Sequence, residues 1–360
     1  VGRGSKSHQA RVNQNSTLYR RQVRPIELIG ETIIRIVAFV SLAAILLIFL
    51  FVFRESLSLF SAKTSMAEDA SIYEASESYG DVPSDSGVPV EEAAVAAPVA
   101  TATNEKPGSL LGNLFGLEWQ PVSDRPKYGL WPLVIGSFKV TLIALLIAGP
   151  LGVLAALYAT TFAPRWVKVW LKPAIELLAG FPSVVVGFFA LTVLASILQT
   201  SFGWQFRLNS MTGGIALALA VVPIIFTVTE DALNTVPRAL SEASLALGAS
   251  KWQTALFIIL PAATPGVLAA LILGFGRAFG ETMIVLMATG NAALISINPA
   301  EPIRTMSATI GAEMAEVVFG DTHYGVLFFI GIILFMVTFA LNAIAEFYVR
   351  QRLARRFGSR

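Results

Sequence analysis

Leu130-Trp-Pro-Leu-Val-Ile-Gly-Ser-Phe-Lys-Val-Thr-Leu-Ile-Ala-Leu-Leu-Ile-Ala-Gly-Pro-Leu-Gly-Val-Leu-Ala-Ala-Leu-Tyr-Ala-Thr-Thr161 carries a single charge, Lys139. A helix crosses the hydrocarbon of a bilayer with about 20 mostly apolar residues, so this stretch suffices for one crossing. Working outward, five more segments qualify: Ile36 to Phe53, about Leu177 to Leu198, Met211 to Thr229, Pro265 to Asn291 with Arg277 and Glu281 inside it, and Tyr324 to Ala345. Pro150, Pro182 and Pro223 fall within these runs. A membrane bundle tolerates them, because neighbouring helices satisfy the backbone groups that proline frees. The expected fold is an all-α integral membrane protein with six transmembrane helices.

Composition agrees. Of 360 residues, 55% are hydrophobic and 14% charged, against about 25% charged in an average soluble domain. That leaves too few charges to clothe a soluble surface of this size. There is no cysteine, which removes disulfides and thiolate metal sites. His8 and His323 have no ligand-type neighbour at a metal-binding spacing, and both read as polar surface.

Lys and Arg near the span ends set the orientation. Arg3, Lys6, Arg11, Arg20, Arg21, Arg24 and Arg35 precede the first span, and Arg350, Arg352, Arg355, Arg356 and Arg360 follow the sixth. Arg165, Lys168 and Lys172 lie between the second and third, and Arg238 and Lys251 between the fourth and fifth. Six spans put all four groups on one side, the cytoplasm, with both termini there. A basic stretch before an apolar run also describes a secretory signal, but the run exceeds a signal core of about 7–15 residues, so a retained helix is expected.

The chain then divides into a basic segment 1–35, a first helix 36–53, a loop 54–128, a core 129–347 and a basic tail 348–360. The loop holds twelve acidic against five basic residues and is rich in Ala, Ser, Pro and Val. It cannot bury enough apolar surface to offset its ordering entropy, and is expected to be a disordered acidic insertion outside the membrane.

The connection 231–262 has legible local chemistry. Pro237 suits the first turn of a helix and Gly248 its left-handed stop. Ser250 can cap a second short helix that Pro261 ends. Ala239, Ala243 and Ala246 keep the surface small enough for another protein to approach. An ordinary interfacial connection would look much the same.

Glu242-Ala243-Ser244, with Gly248 six residues after the Glu and Leu260-Pro261 beyond, resembles the EAA coupling loop of ABC importer permeases, with Ser where that pattern has Ala. Lys172-Pro-Ala-Ile-Glu-Leu-Leu-Ala-Gly-Phe-Pro-Ser-Val-Val-Val-Gly-Phe-Phe189 and Gly276-Arg-Ala-Phe-Gly-Glu-Thr-Met-Ile-Val-Leu-Met-Ala-Thr-Gly-Asn291 resemble the phosphate-specific transport (Pst) permeases. His323-Tyr-Gly-Val-Leu-Phe-Phe-Ile-Gly331 is closer to the PstC than to the PstA type. The resemblance covers roughly Gly129 to Arg352. It implies a type I ABC importer permease fold, and Glu242, Ala243, Gly248, Leu260 and Pro261 coupling to a separate ATPase.

The implied partners are a PstA-like second permease, a PstB-like ATPase dimer, a PstS-like binding protein, phosphate and membrane lipid, with no nucleic acid. No Gly-x-x-x-x-Gly-Lys-[Ser/Thr] phosphate cradle occurs in the chain, so ATP would be bound by the partner and no cofactor by this chain. Arg277 and Glu281 are expected on one face of the fifth span, Gly276 and Gly280 admitting a neighbouring helix at small-xxx-small spacing. With Thr282 they form the candidate substrate path, Arg277 offering its planar fork to an oxyanion. A permease for molybdate, sulfate or phosphonate, and a secondary transporter, are the alternative readings.

Overall fold

The computed structural model describes residues 110–123 and 125–357, with 50–56 and positions 36, 37, 39, 40, 43, 46 and 47 ahead of them. The described positions between 36 and 56 are helical. They belong mainly to a first compact unit, residues 1–54, separate from the second, 55–360. The remainder of the expected first span, the basic N-terminus and most of the acidic loop lie outside the described residues.

A short helix α1 (Leu110–Leu114) leads into a two-residue hairpin, β1 (Trp119–Gln120) antiparallel to β2 (Lys127–Tyr128). The long helices follow: α2 (Trp131–Phe162), α3 (Arg165–Gly180), α4 (Ser183–Phe202) and α5 (Ser210–Asn234). Then come α6 (Arg238–Ala246), α7 (Lys251–Phe279), α8 (Met283–Ala288), α9 (Met306–Glu313) and α10 (Thr322–Phe357). Among the described residues, α2, α4, α5, α7 and the first 26 residues of α10 are long and apolar enough to cross a membrane.

α5 is the central post, with α2 and α7 packed along it and α10 against α7. Small residues permit this. A Cβ on Gly152 of α2 or on Gly274 of α7 would stand 2.8 Å from side-chain carbons of Ile225, so this buried isoleucine of α5 is wedged between two glycines. Water provides no hydrophobic drive between helices inside lipid, and close backbone approach through small residues supplies the packing instead. Val140, Ala144, Ala148, Ala216, Val221 and Ala270 complete this core.

Two spans differ from their expected limits, the third at its start and the fifth at both ends. Leu177 to Gly180 belong not to α4 but to α3, because Phe181 and Pro182 turn extended (φ −66, ψ 130 and φ −57, ψ 134) and start a new helix at Ser183. Pro182 thus stands at the entrance of a span rather than inside it. The residue before a proline is biased out of the helical region, and the apolar run conceals the break. Pro261 ends nothing: α7 runs from Lys251 straight through it. A wide turn over Ala255–Ile259, closed by the Leu260 amide donating to the Ala255 carbonyl, absorbs the proline, as such bulges do inside helices. At its far end α7 stops at Phe279, with Gly280 at the C-cap, and the chain breaks before α8.

Candidate functional site

The break between α7 and α8 lies within the stretch that α2 spans. Phe279 packs on Phe138 of α2 with ring centroids 5.0 Å apart, and a Cβ on Gly187 of α4 would stand 3.0 Å from the Met283 carbonyl. Irregular backbone at membrane depth is tolerated where protein covers it or a cavity adjoins it. Here Ser307 of α9 donates its hydroxyl to the Glu281 carbonyl at 2.7 Å, and the Leu286 amide donates to the Thr282 carbonyl at 2.9 Å.

This break corrects the expectation for Arg277 and Glu281. They do not share a helical face, because Arg277 occupies the last turn of α7 whereas Glu281 lies beyond the C-cap. Helical spacing does not survive the interruption at Gly280. Arg277 is exposed and Glu281 and Thr282 are half-buried. Among the described residues neither Arg277 nor Glu281 makes an ion pair with the other or with any third group. Gly276 admits α10, where a Cβ would stand 3.0 Å from Asn342 Oδ1, but Gly280 meets only its own helix. The arrangement is a guanidinium and a carboxylate beside a backbone break at membrane depth, without an ion pair among the described residues.

At the other candidate site, α6 and the start of α7 form a short helix–turn–helix. Pro237 is the N-cap of α6 rather than a residue of its first turn. Gly248 takes φ +88, the left-handed stop its position suggested. Ser250 and Gln253 form a reciprocal capping box at the start of α7. Glu242, Ala243 and Gly248 are all exposed, α6 buries no residue, and Leu247 is 90% exposed. Glu242 forms no ion pair among the described residues. Ser244 exchanges a 2.9 Å hydrogen bond with Thr254, so its hydroxyl fastens α6 to α7. Leu260 and Pro261 sit just past the wide turn in α7 and not at the end of a separate helix.

A third cluster was not expected. Glu313, 12% exposed, accepts from Arg304 Nη1 at 2.7 Å and from Trp119 Nε1 at 3.1 Å, and shares a 2.9 Å hydrogen bond with His323 Nε2. Trp119, Tyr128 and His323 pack ring against ring, with centroids 5.8–6.1 Å apart. His323 is therefore a packed, hydrogen-bonded group and not polar surface. Burial raises the Glu313 carboxyl, but His323, Trp119 and Arg304 outweigh it and hold the group below the usual carboxylate range. Tyr128 is pushed up to about 12 by burial and by the negative charges of Asp321 and Glu313. Its members come from β1, β2, the 289–305 segment, α9 and the start of α10, and Trp119 and Glu313 lie 194 positions apart. Lys139 of α2 binds the same segment, donating to the carbonyls of Ser296 at 2.9 Å and Asn298 at 2.6 Å.

A bundle of membrane-spanning helices, with an uncovered helix–turn–helix at one end and unpaired charges at an internal break, has the form of the membrane subunit of a transport system. The family model described as "Binding-protein-dependent transport system inner membrane component" matches residues 148–354, and the chain belongs to that family. It is 36% identical over 239 residues to the probable ABC transporter permease protein YqgH of Bacillus subtilis, covering 66% of this chain and 77% of that protein. It is 35% identical over 260 residues to the phosphate transport system permease protein PstC of Mesorhizobium japonicum (67% and 78%). With PstC 1 of Mycobacterium tuberculosis the identity is 34% over 275 residues (70% and 81%). A solved chain of the MetNI methionine ABC transporter superposes with a TM-score of 0.46 at 20% identity, covering 62% of this chain and 94% of that one. The protein is thus a multi-pass inner-membrane permease subunit, and a component of this kind works with an ATPase and a solute-binding protein.

Proposed function

We propose that the chain is the PstC-type permease of an ATP-driven phosphate importer. The observation that carries this reading is the run of 34–35% identities with PstC proteins across two thirds of the chain. Its partners on this reading are a PstA-like permease, a PstB-like ATPase dimer and a PstS-like phosphate-binding protein. Arg277, Glu281 and Thr282 line the phosphate path. An arginine with no ion pair among the described residues suits an oxyanion that passes, because its fork can bind two oxygens at once. Glu242, Ala243 and Gly248, with Leu260 and Pro261 behind them, dock on the ATPase, an assignment supported by the exposure of α6.

The α6 end and both termini face the cytoplasm, in keeping with the Lys and Arg distribution. In this cysteine-free chain, a cysteine at Ser84 should react with an impermeant reagent in whole cells and one at Ser359 should not; the reverse pattern contradicts the orientation. Proteoliposomes holding the complex, with ATP on the ATPase side, test the function. Phosphate uptake should require ATP and the binding protein and exceed sulfate and molybdate uptake. Preferential molybdate or sulfate uptake would transfer the reading to another oxyanion, and ATP-independent uptake would overturn the ABC mechanism.

A further inference from the structure

α3 has three sides, and only one is covered among the described residues. Val167, Leu171, Ile175 and Leu178, at helical spacing, form the covered side; Leu171 and Ile175 pack beside Phe226 and Leu233 of α5. Next around the helix come Arg165, Lys168, Lys172 and Glu176, all exposed. The third side is Trp166, Val169, Trp170, Pro173 and Leu177. It is apolar and uncovered, with Trp166 at 71% and Trp170 at 74% exposure. A shallow groove lined by Pro173, Glu176, Leu177, Gly180 and Phe181 continues it.

The position of α3 dictates what lies against that side. Only Ala163 and Pro164 separate it from the end of α2, and Phe181 and Pro182 from the start of α4. Both neighbours are spans, so α3 begins and ends at a membrane boundary. Its packing against α5 fixes its rotation, as does the pair between Lys172 Nζ and Glu230 of α5 at 3.3 Å. Lys168 is tethered as well, donating to the Thr160 carbonyl at 3.0 Å. We propose that α3 is an in-plane interfacial helix, its Trp166–Trp170 face immersed in the acyl boundary and its Arg165–Lys168 edge binding the headgroups of anionic phospholipids. Tryptophan favours this depth because its ring is apolar and its N–H still reaches water or headgroups. A large apolar face beside a basic edge is the pattern by which a helix lies in the interface instead of spanning it. Among the described residues Arg165 has no ion pair, which leaves it free for a lipid phosphate.

Spin labels on single cysteines test this in the full complex, reconstituted in vesicles of phosphatidylethanolamine with phosphatidylglycerol. Labels at Val169→Cys and Leu177→Cys should favour oxygen over a water-soluble nickel chelate several-fold more than labels at Lys168→Cys and Glu176→Cys. Replacing phosphatidylglycerol by phosphatidylcholine should loosen the label at Val169→Cys, and Arg165→Gln should reproduce that loosening without the lipid change. Free nickel access at Val169→Cys and Leu177→Cys would place the face in water and overturn the proposal. Protection of both positions from oxygen and nickel alike would show that a protein subunit covers the face, and would overturn it equally. None of these readouts depends on which solute is transported.

Discussion

Charged groups at two places in this molecule are treated in opposite ways. The buried carboxylate of Glu313 is answered inside the chain, by Arg304, His323 and the Trp119 indole, although Arg304 Nε has no hydrogen-bond partner among the described residues. Around the α7–α8 break and along α6, Arg277, Glu281 and Glu242 make no ion pair among the described residues. A buried charge with a satisfied partner set is structural, and removing one member leaves the others uncompensated. A charge left open beside a break, or on an uncovered helix, can be removed without stranding a partner. The Glu313 cluster therefore fastens the β1–β2 hairpin onto α9 and α10, while the open charges are the ones proposed above for transport and coupling.

The largest effect on stability should come from Glu313→Ala. It strands Arg304 in a half-buried site and removes the acceptor of Trp119, at a cost of about 3–5 kcal/mol. The thermal midpoint of the purified protein should fall sharply. An unchanged midpoint would mean the cluster is ornamental. The same carboxylate sets a pH window. Because its folded pKa lies below the unfolded value, its stabilisation is complete above about pH 4.3. It is lost as pH falls through the folded value. Wild type should thus lose a stability increment in acid that Glu313→Gln never had, which thermal midpoints across that range would reveal.

Gly248→Val should come next, with its effect on coupling more than on folding. A β-branched residue at φ +88 is strained by about 1–3 kcal/mol, but nothing lies within 4 Å of the Cβ position, so the damage stays in the turn that presents α6. Membrane levels should be near normal and transport-coupled ATP hydrolysis lost. Full coupling in this variant would remove α6 from the docking surface. The smallest effect belongs to Ser244→Ala, which deletes the hydrogen bond to Thr254 and loosens α6 by about 0.5–1.5 kcal/mol. ATPase coupling should weaken without vanishing; a loss as complete as that of Gly248→Val would show that Ser244 itself contacts the partner.

Much of this was legible from residue order. The second, fourth and sixth expected crossings stand close to their hydropathy limits, and the Gly248 stop and the Ser250 cap are short-range chemistry that a few neighbouring residues determine. The breaks were harder to see. Met283-Ile-Val-Leu-Met-Ala288 is as apolar as the span before it, so hydropathy runs across Gly280–Thr282 without a mark, and Arg277 and Glu281 look like one helical face. Pro261 looked like a stop because the wide turn that accommodates it leaves no signal of its own. The Glu313 cluster was illegible for a different reason: its members are scattered from Trp119 to His323 and meet only once the bundle has formed. A carboxylate and a histidine flanking the start of the last span, with an arginine just upstream, were its faint signal.

If Arg277 and Glu281 serve the solute, as proposed, the change that should reveal it is Arg277→Lys. Lysine keeps the charge and loses the planar fork. The complex carrying Arg277→Lys should be compared with wild type in matched proteoliposomes, reading phosphate uptake and ATP hydrolysis together. The variant complex should assemble and still hydrolyse ATP in response to the binding protein, yet take up phosphate poorly. Uptake equal to wild type would contradict it.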